Sequence, residues 1–172
     1  LVVAGSATMG THAAAPVTVH FAAAHTAYGP IRASGEGISY FTLRNGFDPG
    51  ARFMTRPENR VALRAVAGRR HREAVAGPLP AAGPASETLL GPDPDGMGAW
   101  RYRLAAGQSV VGANPATGRG QYWVVVGGTM LHEGEALPAK SCTFIYPDAA
   151  PFVAHAGAAG LDVVAMQFPL RD

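Results

Sequence analysis

From Trp100 onward the chain alternates apolar and polar positions in short runs. Trp100-Arg101-Tyr102-Arg103-Leu104, Gln121-Tyr122-Trp123-Val124-Val125-Val126, Thr129-Met130-Leu131, Ser141 to Tyr146, Phe152-Val153-Ala154-His155 and Leu161 to Phe168 are rich in β-branched and aromatic residues and read as strands. Gly107, Gly127-Gly128, His132-Glu133-Gly134-Glu135, Pro147-Asp148 and Gly157-Ala158-Ala159-Gly160 punctuate them as turns. Strands of this length at this spacing predict an antiparallel sandwich or barrel. There is no βαβ alternation, no phosphate-binding glycine loop and no long repeat period in the residue pattern.

Before Trp100 the pattern is weaker. Residues 1–35 are alanine-rich, with Val17-Thr18-Val19-His20-Phe21 as a short strand and Tyr28-Gly29-Pro30 as a turn. Ile38-Ser39-Tyr40-Phe41-Thr42-Leu43-Arg44 is the first well-defined strand, followed by the turn Asp48-Pro49-Gly50 and a candidate strand at Arg52-Phe53-Met54. Residues 58–67 carry Val61, Leu63 and Val66 at helical spacing before Gly68. His71 to Ala76 reads as another strand. Residues 77–98 hold much of the proline and form a connection over the core, in which Glu87-Thr88-Leu89-Leu90 pairs with a sheet. The expected organisation is an N-terminal arm with additional strands over residues 1–98 and a barrel core over residues 99–172, together one structural domain.

Composition narrows the classes. The 172 residues are 48% hydrophobic and 15% charged, too apolar for disorder and sufficient for one core. No apolar run approaches a membrane span. Net charge is +2, and the only dense basic cluster is Arg69-Arg70-His71-Arg72, so neither nucleic acid nor a membrane is an expected partner. A single cysteine, Cys142, excludes an internal disulfide and is read as a buried small hydrophobe. Leu1 to Thr8 resembles the end of an apolar signal region, but it lacks a positive flank, and Met9 is a plausible start, so a cytoplasmic location is expected.

The stretch from about Leu104 to Pro169 resembles a cupin. Gly107 matches the opening glycine of the first cupin motif, Gln121 stands where its glutamate belongs, and Gly128 follows at the family spacing. In the second motif Ser141 and Ala149 take the glycine places, Pro147 the proline, Phe152 the histidine and Ala156 the asparagine. The resemblance implies an all-β double-stranded β-helix, or jelly-roll barrel, to which the residue pattern adds an N-terminal extension of extra strands and one short helix. It also implies pairing of two barrels through edge strands, hence a homodimer.

The departures from the motif carry the chemistry. Cupin metal sites use three histidines and a glutamate, donors suited to Mn, Fe, Ni or Zn. Here the expected His-x-His falls in residues 113–117, Ala-Asn-Pro-Ala-Thr, which contain no histidine; Gln121 is a weak ligand and Phe152 none. No metal and no cofactor are therefore expected. Asn114, Gln121, Trp123, Phe144 and Phe152 would instead line an apolar interior that takes a small molecule, with Gln121 as polar handle and Trp123 as wall or core. Arg101 and Arg103 share one strand face, read as outward and solvated. Three functions follow: a metal-free barrel that binds a small ligand or assembles with itself; a cupin enzyme, dioxygenase or isomerase/epimerase, with non-standard residues such as His20, His25 or His155; or a regulatory partner domain. The first accounts best for the missing ligands.

Overall fold

The computed structural model describes residues 1–26, 28–47, 50, 52–64, 70–77 and 85–170. It is an all-β, barrel-like architecture of two curled antiparallel sheets, with one α-helix among the described residues. Its contacts gather into two compact units, Leu1–Val75 and Ala76–Arg171.

In the first unit β1 (Val2–Met9) is the organising strand. β2 (His12–Ala14) and β3 (Thr18–Ala22) pair with it in turn along one side, and β4 (Ile31–Tyr40) along the other. After the short helix α1 (Pro57–Arg64), which opens with Glu58 at its positive end, β5 (His71–Val75) returns to pair with β3. The buried apolar residues are small or few: Leu1, Val2, Ala7, Ala14, Val17 and Val19. Buried Thr18 donates its hydroxyl to the Ala15 carbonyl at 2.6 Å.

In the second unit β6 (Ala85–Leu90) pairs with β7 (Gly98–Leu104), β7 and the short β8 (Ser109–Val111) pair with one side of β12 (Val153–Gln167), and β9 (Gln121–His132) lies along its other side. β10 (Glu135–Pro138) and β11 (Cys142–Ile145) pair with the two ends of β9. Each long strand is thus flanked by two short ones, and the sheet curls around one core. That core joins Trp123, Val125 and Met130 of β9, Ile145, Phe152, and Ala154, Ala156, Val163 and Ala165 of β12. β6 falls in this unit, which begins at Ala76.

The motif β1–β4 and the motif β9–β12 are the same motif in the same register. Met9 faces His12 as His132 faces Glu135; Ala7 faces Ala14 and Ala33 as Met130 faces Leu137 and Ala156; Gly5 faces Ile38 as Gly128 faces Leu161; Val2 faces Tyr40 as Val125 faces Val163. The sequence offset between the members of every pair is constant, so the two motifs correspond without insertion. Both carry the same bulge: residues 34–37 stand opposite Ser6, and residues 157–160 opposite Thr129. At this point Gly5 and Gly128 have φ of +68° and +69°, and a Cβ on either would lie 2.2 Å from a carbonyl oxygen, that of Gly37 or of Gly160.

Several sequence expectations change here. The chain contains a long structural repeat that its residue pattern hides, because few side chains are shared. Residues 157–160 are a bulge inside one continuous strand, not a turn between two. Ile38–Arg44 is a strand only to Tyr40, and residues 52–54 form no strand. The expected turn at Asp48-Pro49 and helix end near Gly68 lie outside the described residues, as do Arg69 of the basic cluster and most of the proline-rich run before β6.

The close approach at the bulge gives a direct test. Gly128→Ala should cost about 3 kcal/mol, because a methyl group strikes a carbonyl at a left-handed position. Gly107→Ala, with φ of +72° but nothing within 4 Å of the new carbon, should cost only about 1–2 kcal/mol. Urea denaturation followed by tryptophan fluorescence checks the difference; equal costs would remove the bulge contact as its cause.

Candidate functional site

The place where the resemblance sets cupin ligands is one end of the second unit's core. Strand alternation turns Gln121, Trp123 and Val125 to the same face of β9. Trp123 is fully buried. Its ring is stacked on Tyr102 at 5.6 Å between centroids and tilted against Phe152 at 5.0 Å, and the His132 ring lies edge-on to Phe152 at 5.2 Å. Gly112 touches the same indole, since a Cβ there would lie 2.3 Å from Cζ2. The interior is therefore closed by packed rings.

Beyond the rings runs a polar chain that is buried at Gln121 and Gln167 and reaches the surface at Thr117. The Trp123 indole Nε1 donates to Gln121 Oε1 at 3.0 Å. Gln121 Nε2 donates to the Ala113 carbonyl at 2.9 Å and to Gln167 Oε1 at 2.7 Å, which uses both of its hydrogens. Gln167 Nε2 donates to the Gly96 carbonyl at 2.6 Å and to Thr117 Oγ1 at 3.0 Å, and the Thr117 hydroxyl donates to the Asn114 carbonyl at 2.7 Å. The chain ties β9 and β12 to the loop at Gly96 and to the 3-10 turn Pro115–Thr117. Gln167 was not singled out from the sequence; its place directly opposite Gln121 across the β9–β12 ladder is what brings the two amides together.

Of the five residues expected to line the interior, the structure brings Gln121, Trp123 and Phe152 together. Asn114 is exposed, and its Oδ1 accepts from the Ala116 amide as the cap of the 3-10 turn. Phe144 is a correction. Ile145 is the residue of β11 that enters the core, so alternation turns Phe144 to the opposite face, where it packs on Tyr122 at 4.7 Å and Tyr146 at 5.2 Å. Cys142 shares that outer face and is exposed, not buried. His155 also points outward, with Nδ1 2.7 Å from the Ser109 hydroxyl.

Arg101 and Arg103 face away from the core, opposite Trp100 and Tyr102. Arg101 is not simply solvated: its guanidinium holds both oxygens of Asp162, at 2.9 and 2.7 Å, and this bidentate bond raises its pKa above the ordinary arginine value. A second outer surface is apolar. Val111 faces Val153 and Leu131 faces His155 across neighbouring ladders, and the three apolar side chains are 63%, 38% and 43% exposed.

The first unit holds the remaining histidines. His20 of β3 faces Glu73 of β5 in the ladder, with His71 two residues along the same face. The His20 ring lies between Tyr28 at 5.0 Å and His71 at 4.5 Å, and its Nε2 is buried with no hydrogen-bond partner. His12, His71 and Glu73 line a surface depression of about 400 Å³. Desolvation, followed by His71, the chain's amino terminus and His12, pushes the His20 pKa down to about 4. His25 is exposed. Among the described residues no group of three or more His, Cys, Asp or Glu is placed to hold a metal ion, and no helix is long and apolar enough to cross a membrane.

No family model and no curated protein matches the chain. Among solved structures it is similar to a chain in the crystal structure of Rhodobacter sphaeroides SigE in complex with the anti-sigma ChrR, with 14% identity and a TM-score of 0.39 over 49% of this chain and 44% of that one. The chain thus spans less than half the length of the solved chain it matches.

Two outcomes follow from this geometry. Trp123→Ala removes a fully packed ring and strands the Gln121 carbonyl, and should cost about 3–5 kcal/mol in urea denaturation; a loss below about 1 kcal/mol would mean that the ring borders open space. His20 is neutral in the fold and protonated in the unfolded chain between its lowered pKa and the ordinary value of 6.5. The unfolded state therefore binds more protons there, and the first unit loses stability as the pH falls from 6.5 towards 4. Amide exchange in β3 across that range should show the loss, and His20→Phe should reduce it.

Proposed function

We propose that the chain is a metal-free, cupin-like protein that acts by binding and assembly, not by turning over a substrate. The observation that supports this is the closed amide chain of Gln121, Gln167 and Trp123, set where the resemblance puts the metal-binding end of a cupin barrel. Its hydrogen-bonding capacity is spent internally, and Phe152 fills the remaining ligand place. Asn114, Gln121, Trp123 and Phe152 then serve to hold the barrel end closed. A small molecule entering the interior would have to displace Trp123 or Phe152 and break that chain, so self-assembly is the better use of the molecule than small-ligand binding. A homodimer built on the outer surface of Val111, Leu131 and Val153 removes exposed apolar area from water.

Sedimentation at micromolar concentration should give a dimer, and Leu131→Glu together with Val153→Glu should give a monomer with a nearly unchanged melting temperature. A wild-type monomer at high micromolar concentration would sink the assembly reading. Elemental analysis after growth with added Fe, Mn, Ni and Zn tests the other half: about one metal per chain, retained against a chelator, would restore the enzyme alternative.

A further inference from the structure

The net charge of +2 averages two unequal parts of the chain. Residues 1–75 carry nine arginines against four carboxylates, whereas residues 76–171 carry five arginines and lysines against seven carboxylates. Most of the excess lies between β4 and β5. There Arg52, Arg56, Arg60 and Arg64 recur at every fourth position, into and along the helix α1, with one carboxylate, Glu58, among them. The Arg60 amide donates to the Arg56 carbonyl at 3.4 Å, so the row of residues one helical turn apart begins before Pro57.

The same segment exposes apolar side chains. Phe47 is 95% exposed, Phe53 65% and Val61 67%. Every described residue from Gly46 to Glu58 except Met54 is exposed, so the segment projects from the first unit and encloses nothing. Hydrogen bonds tie it to the helix. The Phe53 carbonyl accepts from the Arg56 amide at 3.1 Å and from Asn59 Nδ2 at 2.9 Å, and the Met54 carbonyl accepts from Arg60 Nε. The start of α1 is thereby folded back on residues 53–54, which fixes the backbone of Phe53 beside Arg56 and Arg60.

We propose that Phe47, Arg52, Phe53, Arg56, Arg60 and Val61 form a site of reversible attachment to an anionic lipid surface. Charge complementarity selects an anionic partner, and the exposed phenyl rings select one with an apolar layer beneath its charge. Guanidinium groups pair with phosphate oxygens at the headgroup level, while Phe47 and Phe53 enter the acyl boundary. A nucleic acid offers phosphates and stackable bases but no apolar layer for Val61. An acidic polypeptide is recognised through a groove or a strand edge, and a projecting segment supplies neither. A lipid surface needs no fixed shape in its partner. The expectation of no membrane partner rested on the whole-chain charge and on the lack of a spanning run, and a surface-bound segment depends on neither. The site belongs to the first unit alone, so it stands or falls separately from the metal-free and dimer readings of the second.

The probe is a vesicle of phosphatidylcholine with about one phosphatidylglycerol in three lipids, set against pure phosphatidylcholine, and the readout is cosedimentation of the full chain at low salt. The anionic vesicles should bind it more tightly by about tenfold or more, and salt at about 0.5 M should remove most of that preference. Arg56→Gln should weaken binding by about fivefold, whereas Lys140→Gln, which removes the same charge from the second unit, should leave it nearly unchanged. Phe47→Ser should weaken binding by about tenfold and keep its salt dependence. All three positions are exposed, so the variants should melt with the wild type. Any of three results would overturn the proposal: no preference for the anionic vesicles, equal losses from Lys140→Gln and Arg56→Gln, or no loss from Phe47→Ser. Binding to a single-stranded oligonucleotide or to polyglutamate in place of the vesicles would assign the charge to that partner and overturn the lipid reading.

Discussion

The contact on which this architecture depends is a glycine against a carbonyl. In each motif a left-handed glycine, Gly5 or Gly128, lies so close to the carbonyl of Gly37 or Gly160 that no side chain fits between. Four residues then oppose one, and the long strand bends. A straight pair of strands as long as β9 and β12 would present two flat faces and need covering on both. The bend lets the two ends of each strand take different short partners and turn toward one another. In the second unit this brings Met130 and Ala156 from one side of the bulge into the same core as Trp123 and Val163 from the other.

Once the backbone sets the curl, side chains decide how well the enclosed space is used, and the two units diverge. Where Met130 faces Leu137 and Ala156, the first unit has Ala7 facing Ala14 and Ala33. Among the described residues β12 is flanked on both edges and β4 on one. Less apolar area is removed from water per residue, and a titratable His20 with an unpartnered Nε2 sits in what is buried. The same motif therefore supports a tightly packed unit and a less protected one, and local opening is expected to concentrate in the latter.

The strands of the second half were legible because alternation there is strong and flanked by glycine. Phe144 shows the limit of that signal: alternation ties Phe144 to Cys142 and Tyr146 but leaves both faces open, and only the pairing of Ile145 with Gln121 decides that Ile145 is the inward residue. Residues 157–160 show another. Gly-Ala-Ala-Gly reads as a turn by composition, yet a bulge and a turn call for the same residues, and only the partner strand tells them apart. The repeat was hidden for a related reason. Its constraint is a backbone one, met by Gly5, Gly37, Gly128 and Gly160, while the facing positions were free to change from alanine to methionine or leucine. Gln121 was found through its motif position; its partner Gln167 carries no sequence signal, because the link between them is a strand register.

The amide chain accounts for the buried polar residues at one end of the second unit's core. The ends of β9 and β12 must meet Gly96 and Ala113, whose carbonyls point inward and need donors. A carboxylate in place of either glutamine would have no hydrogen to give these carbonyls, and buried there without a cation it would be costly. Glutamine has nearly the same length, no charge, two hydrogens to give and one oxygen to accept with. Two glutamines placed opposite each other can therefore close the end of the core by hydrogen bonds alone, with the Trp123 indole as the last donor. Gln121 and Gln167 thus hold this end of the core together with neutral hydrogen bonds alone.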